Sequence, residues 1–194
     1  MIPYFIHYEK LIIILEIIAF LCGTIYVILA AKENILCWIY GGISVIIYSY
    51  IFYFSNLLAE SFLQIFYLII SINGFLSWNK KNKKEIKSIN TSKHLKIISA
   101  GIIITIIISF VLINLSKSSY PIIDSFTTSF GIIATFLTAK KILENWIYWI
   151  TINIFSIYIY VEKELLITSL LYLTYTILAI YGYIKWKKQL QKSL

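Results

Sequence analysis

Seven runs of apolar residues, each long enough to cross a bilayer, are strung along a chain of only 194 residues. A hydrocarbon core about 30 Å thick needs roughly 20 helical residues to span it. The runs are Leu11–Ala31, Ile35–Phe54, Leu57–Trp78, Ile97–Leu115, Ile122–Ala139, Trp146–Tyr160 and Leu165–Trp186, the sixth being the shortest. No soluble core could be covered by what is left, since 60% of the residues are apolar or aromatic and 13% are charged. A soluble domain carries about 25% charged residues. The expectation is an all-α membrane protein forming one integral domain over residues 1–194. The first run is too long, too weakly basic at its start and too poor in small residues at its end for a signal peptide.

Lysine placement orients the chain. All 17 basic residues are lysine, and the net charge is +8. Lys80, Lys81, Lys83, Lys84, Lys87, Lys93 and Lys96 crowd the connector after the third run, which the positive-inside rule assigns to the cytoplasm. Alternation adds Lys32, Lys140, Lys141, Lys185, Lys187, Lys188 and Lys192 to that side and leaves Lys10, Lys117 and Lys163 outside. The N-terminus is therefore expected outside and the C-terminus inside. The lysine-rich connector reads as a solvated loop. Its Asn90-Thr91-Ser92 string matches a glycosylation sequon that a cytoplasmic loop would never present to the enzyme.

Several partners are excluded. Without arginine there is no bidentate guanidinium to read bases, so no nucleic-acid partner is expected. Cys22 and Cys37 lie in apolar runs, and His7 and His94 are far apart, so neither a disulfide framework nor a metal site is indicated. No cofactor is expected. The partners that remain are membrane lipids and a small molecule, with homo-oligomerisation left open.

Displacing the sequence by 108 positions aligns it with itself without a gap. Glu16 falls on Asp124, Gly23 on Gly131, Lys32 on Lys140, and Trp38-Ile39-Tyr40 on Trp146-Ile147-Tyr148. Further along, Tyr67 meets Tyr175, Gly74 meets Gly182 and Trp78 meets Trp186. Matches among isoleucines mean little here, whereas aligned Trp, Gly and Lys do. Residues 11–78 and 122–186 are thus read as two three-helix repeats, with a linking helix at 97–115 that sets both in the same sense. Parallel repeats of this kind belong to transporters, with substrate held at the repeat interface near the midplane.

Polar and aromatic residues form stripes along single helix faces. In lipid such residues must face another helix or a water-filled path. The third run carries Glu60, Gln64, Tyr67, Ser71, Gly74 and Trp78; the sixth carries Trp146, Trp149, Asn153, Ser156 and Tyr160. The seventh repeats the pattern with Thr168, Tyr172, Tyr175, Ala179, Gly182 and Trp186, and the fifth with Asp124, Thr128, Gly131, Thr135 and Thr138. Trp78 and Trp186 adjoin lysines and are expected as interfacial anchors, while Gly74 and Gly182 suit close helix packing. Glu16 and Asp124 lie near outer helix starts, where the dipole favours a carboxylate. Those two and Thr128 are read as gate or pathway residues. Gln64 and Asn153 are primary amides deep in apolar spans, beside aromatics on their own faces. Such a site suits a flat, cationic, dephosphorylated ring held by stacking and cation–π attraction.

With these motifs in view, the chain from about Glu16 to Trp186 resembles the Pnu-type vitamin transporters, the family of the nicotinamide riboside transporter. The resemblance is carried by Leu63-Gln64-x-x-Tyr67 with Gly74 and Trp78, by Glu144-Asn145-Trp146-x-x-Trp149-x-x-x-Asn153, and by Leu171-Tyr172-x-x-Tyr175 with Gly182 and Trp186. It implies a full-length SWEET-like fold of two parallel three-helix bundles joined by a linking helix, in a bacterial inner membrane. It also implies uptake of an unphosphorylated vitamin by facilitated diffusion with alternating access, trapped by a separate cytoplasmic vitamin kinase. Nicotinamide riboside is the first expectation, with thiamine and riboflavin as alternatives inside the family. Substrate contacts are implied for Gln64, Tyr67, Trp146, Trp149, Asn153, Tyr172 and Tyr175.

Rival classes have less behind them. An intramembrane enzyme would need paired acids, a metal cluster or a nucleophile with its base, and no histidine lies within a span. No Gly-rich phosphate loop is present for an ATP-driven pump. A substrate-capture subunit of a separately powered importer, or a proton-coupled carrier, would share the same sequence features.

Overall fold

The computed structural model describes residues 2–54, 58–79, 85–115, 120–162, 164 and 166–193, without the side chains of 2–9, 58–60, 115, 167 and 193. Lys80, Lys81, Lys83, Lys84, Lys117, Lys163 and the Glu60 side chain therefore lie outside the described residues. The rest is all-helical: α1 Ile2–Ala31, α2 Leu36–Phe54, α3 Leu58–Trp78, α4 Thr91–Leu115, α5 Pro121–Ala139, α6 Asn145–Glu162 and α7 Leu166–Ser193. Among the described residues, five helices are long and apolar enough to cross a membrane: α1 from Lys10, α2, α3 from Ser61, α4 to Asn114, and α5. The sixth and seventh helices fall below that threshold. Asn145, Asn153 and a series of tyrosines and threonines dilute their isoleucines.

The helices outrun the apolar runs at several ends. A run of apolar residues measures lipid thickness, whereas a helix stops at its caps. Thus α4 starts six residues before Ile97, at a cap where the Asn90 side-chain oxygen accepts from Lys93 N at 3.0 Å. The sequon-like string is the start of a helix. At α5, Pro121 occupies the first turn together with Asp124.

Two compact units make up the fold, Met1–Lys83 and Lys84–Leu194. In the first, α2 packs on both α1 and α3. In the second, α5 packs on α4 and α6, and α6 on α7. The linking helix is thus a member of the second unit. Gly101 allows this, because a Cβ there would lie 2.6 Å from the Phe130 ring. The core of this unit is Phe130, Ala134, Leu137, Tyr148 and Ile152, shared by α5 and α6.

The turns α1–α2 and α5–α6 share one hydrogen-bond pattern, position for position at the 108 offset. Asn34 N donates to Leu29 O at 2.9 Å, and Ile142 N to Leu137 O at 3.0 Å. Glu33 N donates to Ala30 O at 3.0 Å, and Lys141 N to Thr138 O at 2.9 Å. Each is a Schellman closure, with the left-handed residue being Glu33 (φ 52°) in one and Lys141 (φ 56°) in the other.

Both units also pack a tryptophan against a glycine. Trp38 of α2 and Trp146 of α6 meet Trp78 and Trp186 edge-to-face, with centroids 5.4 Å apart in each pair and interplanar angles of 88° and 87°. A Cβ on Gly74 would overlap the Trp38 indole, and one on Gly182 would sit 2.7 Å from Trp146. Between lipid-embedded helices there is no hydrophobic drive to associate, so van der Waals fit of this kind holds them together. The interfacial-anchor reading of Trp78 and Trp186 is corrected here: both are buried, Trp186 completely. Spacing to a lysine cannot reveal which way a helix face turns.

Candidate functional site: a polar and aromatic face on the sixth and seventh helices

Asn153 lies two turns into α6, on the face it shares with Trp146, Trp149 and Ser156. It is 4% exposed, and its amide makes no hydrogen bond with any described residue. Its side chain offers two N–H donors and a carbonyl acceptor to a polar ligand. Trp149, one turn before it, is half-buried and packs against the Phe130–Ile152 core. That contact holds one part of the indole while leaving the remainder accessible.

The same unit brings Tyr172 and Tyr175 together on α7. Tyr172 stacks on Tyr160 of α6, with centroids 5.2 Å apart and planes 15° apart. Tyr175 meets Tyr172 edge-on at 6.2 Å. All three rings are half-buried, so aromatic surface remains available beside the polar face of α6. Trp146 differs from its neighbours. It is 2% exposed, enclosed by Trp186 and the α7 backbone at Gly182, and its Nε1 has no acceptor among the described residues.

In the first unit, Gln64 lines an open groove of about 670 Å³ between α2 and α3, with Val45, Ser49, Tyr50, Ser61 and Leu68. Tyr67 follows on the same face of α3 and is half-buried. Of the gate candidates, Asp124 sits in the first turn of α5, as its helix-start reading requires, and Thr128 lies one turn further on. Glu16 does not fit that reading. Because α1 begins at Ile2, Glu16 lies mid-helix and exposed, beyond the reach of the N-terminal dipole.

Sequence reasoning missed a polar cluster at the start of α6. Ser88 Oγ donates to a Glu144 carboxylate oxygen, and Ile89 N donates to the same carboxylate at 3.3 Å. Beside it, Lys87 N donates to Lys141 O at 2.9 Å, and Leu143 N to Lys87 O at 2.8 Å. The Tyr148 hydroxyl and His94 Nδ1 lie 3.3 Å apart. The end of the α3–α4 connector is therefore docked on the α5–α6 turn through its backbone, while Lys87, Lys93 and Lys96 stay exposed. An acid directly before a helix was the available signal, but it ordinarily indicates only the helix dipole.

A set of apolar helices with an amide and aromatic rings gathered on one helix face is an arrangement that suits a membrane transport protein. The chain belongs to the nicotinamide mononucleotide transporter family, whose model matches residues 13–188. It is similar to the nicotinamide riboside transporter PnuC of Escherichia coli, at 25% identity over 89% of this chain and 84% of that one. The Neisseria mucosa and Haemophilus influenzae PnuC proteins are each 26% identical, covering 90% and 92% of this chain and 72% and 81% of their own lengths. The crystal structure of the vitamin B3 transporter PnuC is also similar, with a TM-score of 0.75 and 25% identity over 92% of this chain and 82% of that one. The protein is accordingly a multi-pass membrane transporter of the PnuC type, and its relatives are transporters and not enzymes.

Proposed function

We propose that the protein carries nicotinamide riboside across a bacterial inner membrane by facilitated diffusion with alternating access. The observation that carries this reading is the buried amide of Asn153 one turn from the half-buried indole of Trp149, which packs on the Phe130–Ile152 core. An amide and an indole are complementary to a pyridinium carboxamide, through hydrogen bonding and cation–π attraction. The family description names the mononucleotide and the relatives' names give the riboside. The chain has no arginine and no lysine near Asn153 in sequence, so a buried phosphate would have no obvious cation, which favours the unphosphorylated form.

In this proposal Asn153, Trp149, Tyr172 and Tyr175 are the ligand contacts within the second unit, and Gln64 and Tyr67 are the candidate contacts within the first. Trp146 enters it as the indole that seats α7 on α6. Asp124 and Thr128 shape the path. A separate cytoplasmic kinase traps the product, and the two three-helix segments 11–78 and 122–186 are products of one duplication. The matching Schellman turns and Trp–Gly contacts support that last point.

The test is a binding titration of purified protein against nicotinamide riboside, its mononucleotide, thiamine and riboflavin, followed by counterflow in liposomes containing only this protein. Tightest binding of the riboside, with counterflow that needs no pH gradient, is the expected result. Preference for another ligand overturns the substrate. Binding without counterflow identifies a capture subunit, and accumulation driven by a pH gradient identifies a coupled carrier.

A further inference from the structure

The first unit carries four serines whose hydroxyls join its helices, and three of their counterparts, 108 residues on, have no hydroxyl. Ser44 donates to the Ala19 carbonyl at 2.8 Å and ties α2 to α1. Ser71 donates to the Trp38 carbonyl at 2.7 Å and ties α3 to α2. Ser61 Oγ donates to the Ser49 carbonyl at 2.9 Å, and the two hydroxyls lie 3.1 Å apart. The counterparts of Ser44, Ser49 and Ser71 are Ile152, Ile157 and Ala179; Ser169 alone keeps the hydroxyl of Ser61.

The aromatic part of the contact is the same in both units. Each has an indole lying on a glycine and an edge-to-face tryptophan pair. The difference therefore lies in how firmly register is held. A side-chain hydrogen bond to a neighbouring backbone carbonyl selects one register of two helices, and a slide of an ångström breaks it. Apolar and aromatic faces tolerate small shear displacements while remaining in contact. Ile152 instead enters the apolar core that joins α6 to α5. At Ile157 of α6 and Ala179 of α7 the hydroxyls that tie α3 to α2 are missing, although Ala179 is as deeply buried as its counterpart.

We propose that α7 slides against α6 during the transport cycle, while α1, α2 and α3 move as one pinned body. This rests on the carrier reading above. The slide would shift Tyr172 relative to Tyr160, and so change the aromatic surface on that face.

Two reversible cross-links test it in a protein whose Cys22 and Cys37 have been replaced by alanine. One is Ser49→Cys with Ser61→Cys; the other is Ile157→Cys with Ser169→Cys. Uptake of the riboside, thiamine and riboflavin is measured in liposomes before oxidation, after it, and after reduction. The first link is expected to leave at least about half of the rate, and the second to remove about tenfold or more, regained on reduction. Ala179→Ser, which restores the hydroxyl of Ser71, should slow uptake severalfold with binding retained. Arrest by both links, by the first alone or by neither overturns the proposal. If the reduced proteins carry none of the three vitamins, the carrier reading fails by itself. The slide is then read from spin-label distances between Ile43 and Ile72 and between Thr151 and Ile180 in lipid nanodiscs. A broader or doubled distribution for the second pair supports it, and equal widths overturn it.

Discussion

Asn153 and Trp146 sit seven residues apart on one face of α6, yet they have opposite surroundings. The first is a polar group that nothing among the described residues satisfies; the second is an apolar plate pressed into a fitted slot. Asn153→Ala should therefore weaken riboside binding by about 1–3 kcal/mol, roughly 5- to 150-fold, with folding unaffected. Trp149→Leu should weaken it by about 0.5–2 kcal/mol beyond the lost apolar contact. Calorimetric titration of monodisperse protein checks both, and unchanged affinity would return these residues to packing. Gly182→Ala should act on stability. Its new methyl would meet the Trp146 ring at 2.7 Å, an overpacking that costs about 1–3 kcal/mol. A melting temperature lowered with unchanged affinity in the surviving folded fraction is the expected pattern.

At the scale of elements, the docked connector has the most to say. Glu144 stands directly before α6 and accepts from Ser88 and Ile89, so the start of the helix bearing Trp149 and Asn153 is tied to the start of α4. Hydrogen bonds to a carboxylate are stronger than neutral ones, although solvent around the exposed Ser88 weakens this pair. Glu144→Ala is expected to speed deuterium exchange at the Ile89 amide, and Ser88→Ala to do so less, because the backbone bond to the carboxylate remains. Equal protection in the wild type and Glu144→Ala would mean that the Lys87 backbone bridge alone holds the connector.

For the whole molecule, that bridge carries a topological consequence. Lys87 and Ile142 are paired, so the α3–α4 connector and the α5–α6 turn lie on one side of the membrane. From the lysine distribution we expect that side to be the cytoplasmic one. A cysteine at exposed Ser92 should react with an impermeant thiol reagent only after permeabilisation, and one at Glu164 should react in intact cells. The reverse pattern would invert the orientation. The halves are unequal at the proposed contacts: Gln64 and Tyr67 in one correspond to Tyr172 and Tyr175 in the other, while Trp149 and Asn153 correspond to Gly41 and Val45. The amide and indole of the proposed site thus lie in a single unit.

The helices and their class were legible in the sequence, because hydropathy over about 20 residues is a local property that lipid reads directly. The correspondence of Trp38 with Trp146 and of Gly74 with Gly182 was legible at the 108-residue offset, and both pairs make like contacts. Asn153 and Trp149 stood out on other grounds, as a polar and a large aromatic residue inside an apolar span. What periodicity could not separate was Trp146 from Trp149. They are three residues apart and share a face, and only the position of Gly182 across the interface encloses one and leaves the other accessible. Nor could it see that Ser88 meets Glu144, 56 residues away, or that Trp186 turns inward from its lysines. Those outcomes depend on contacts between distant segments, and no local window of the chain contains both partners.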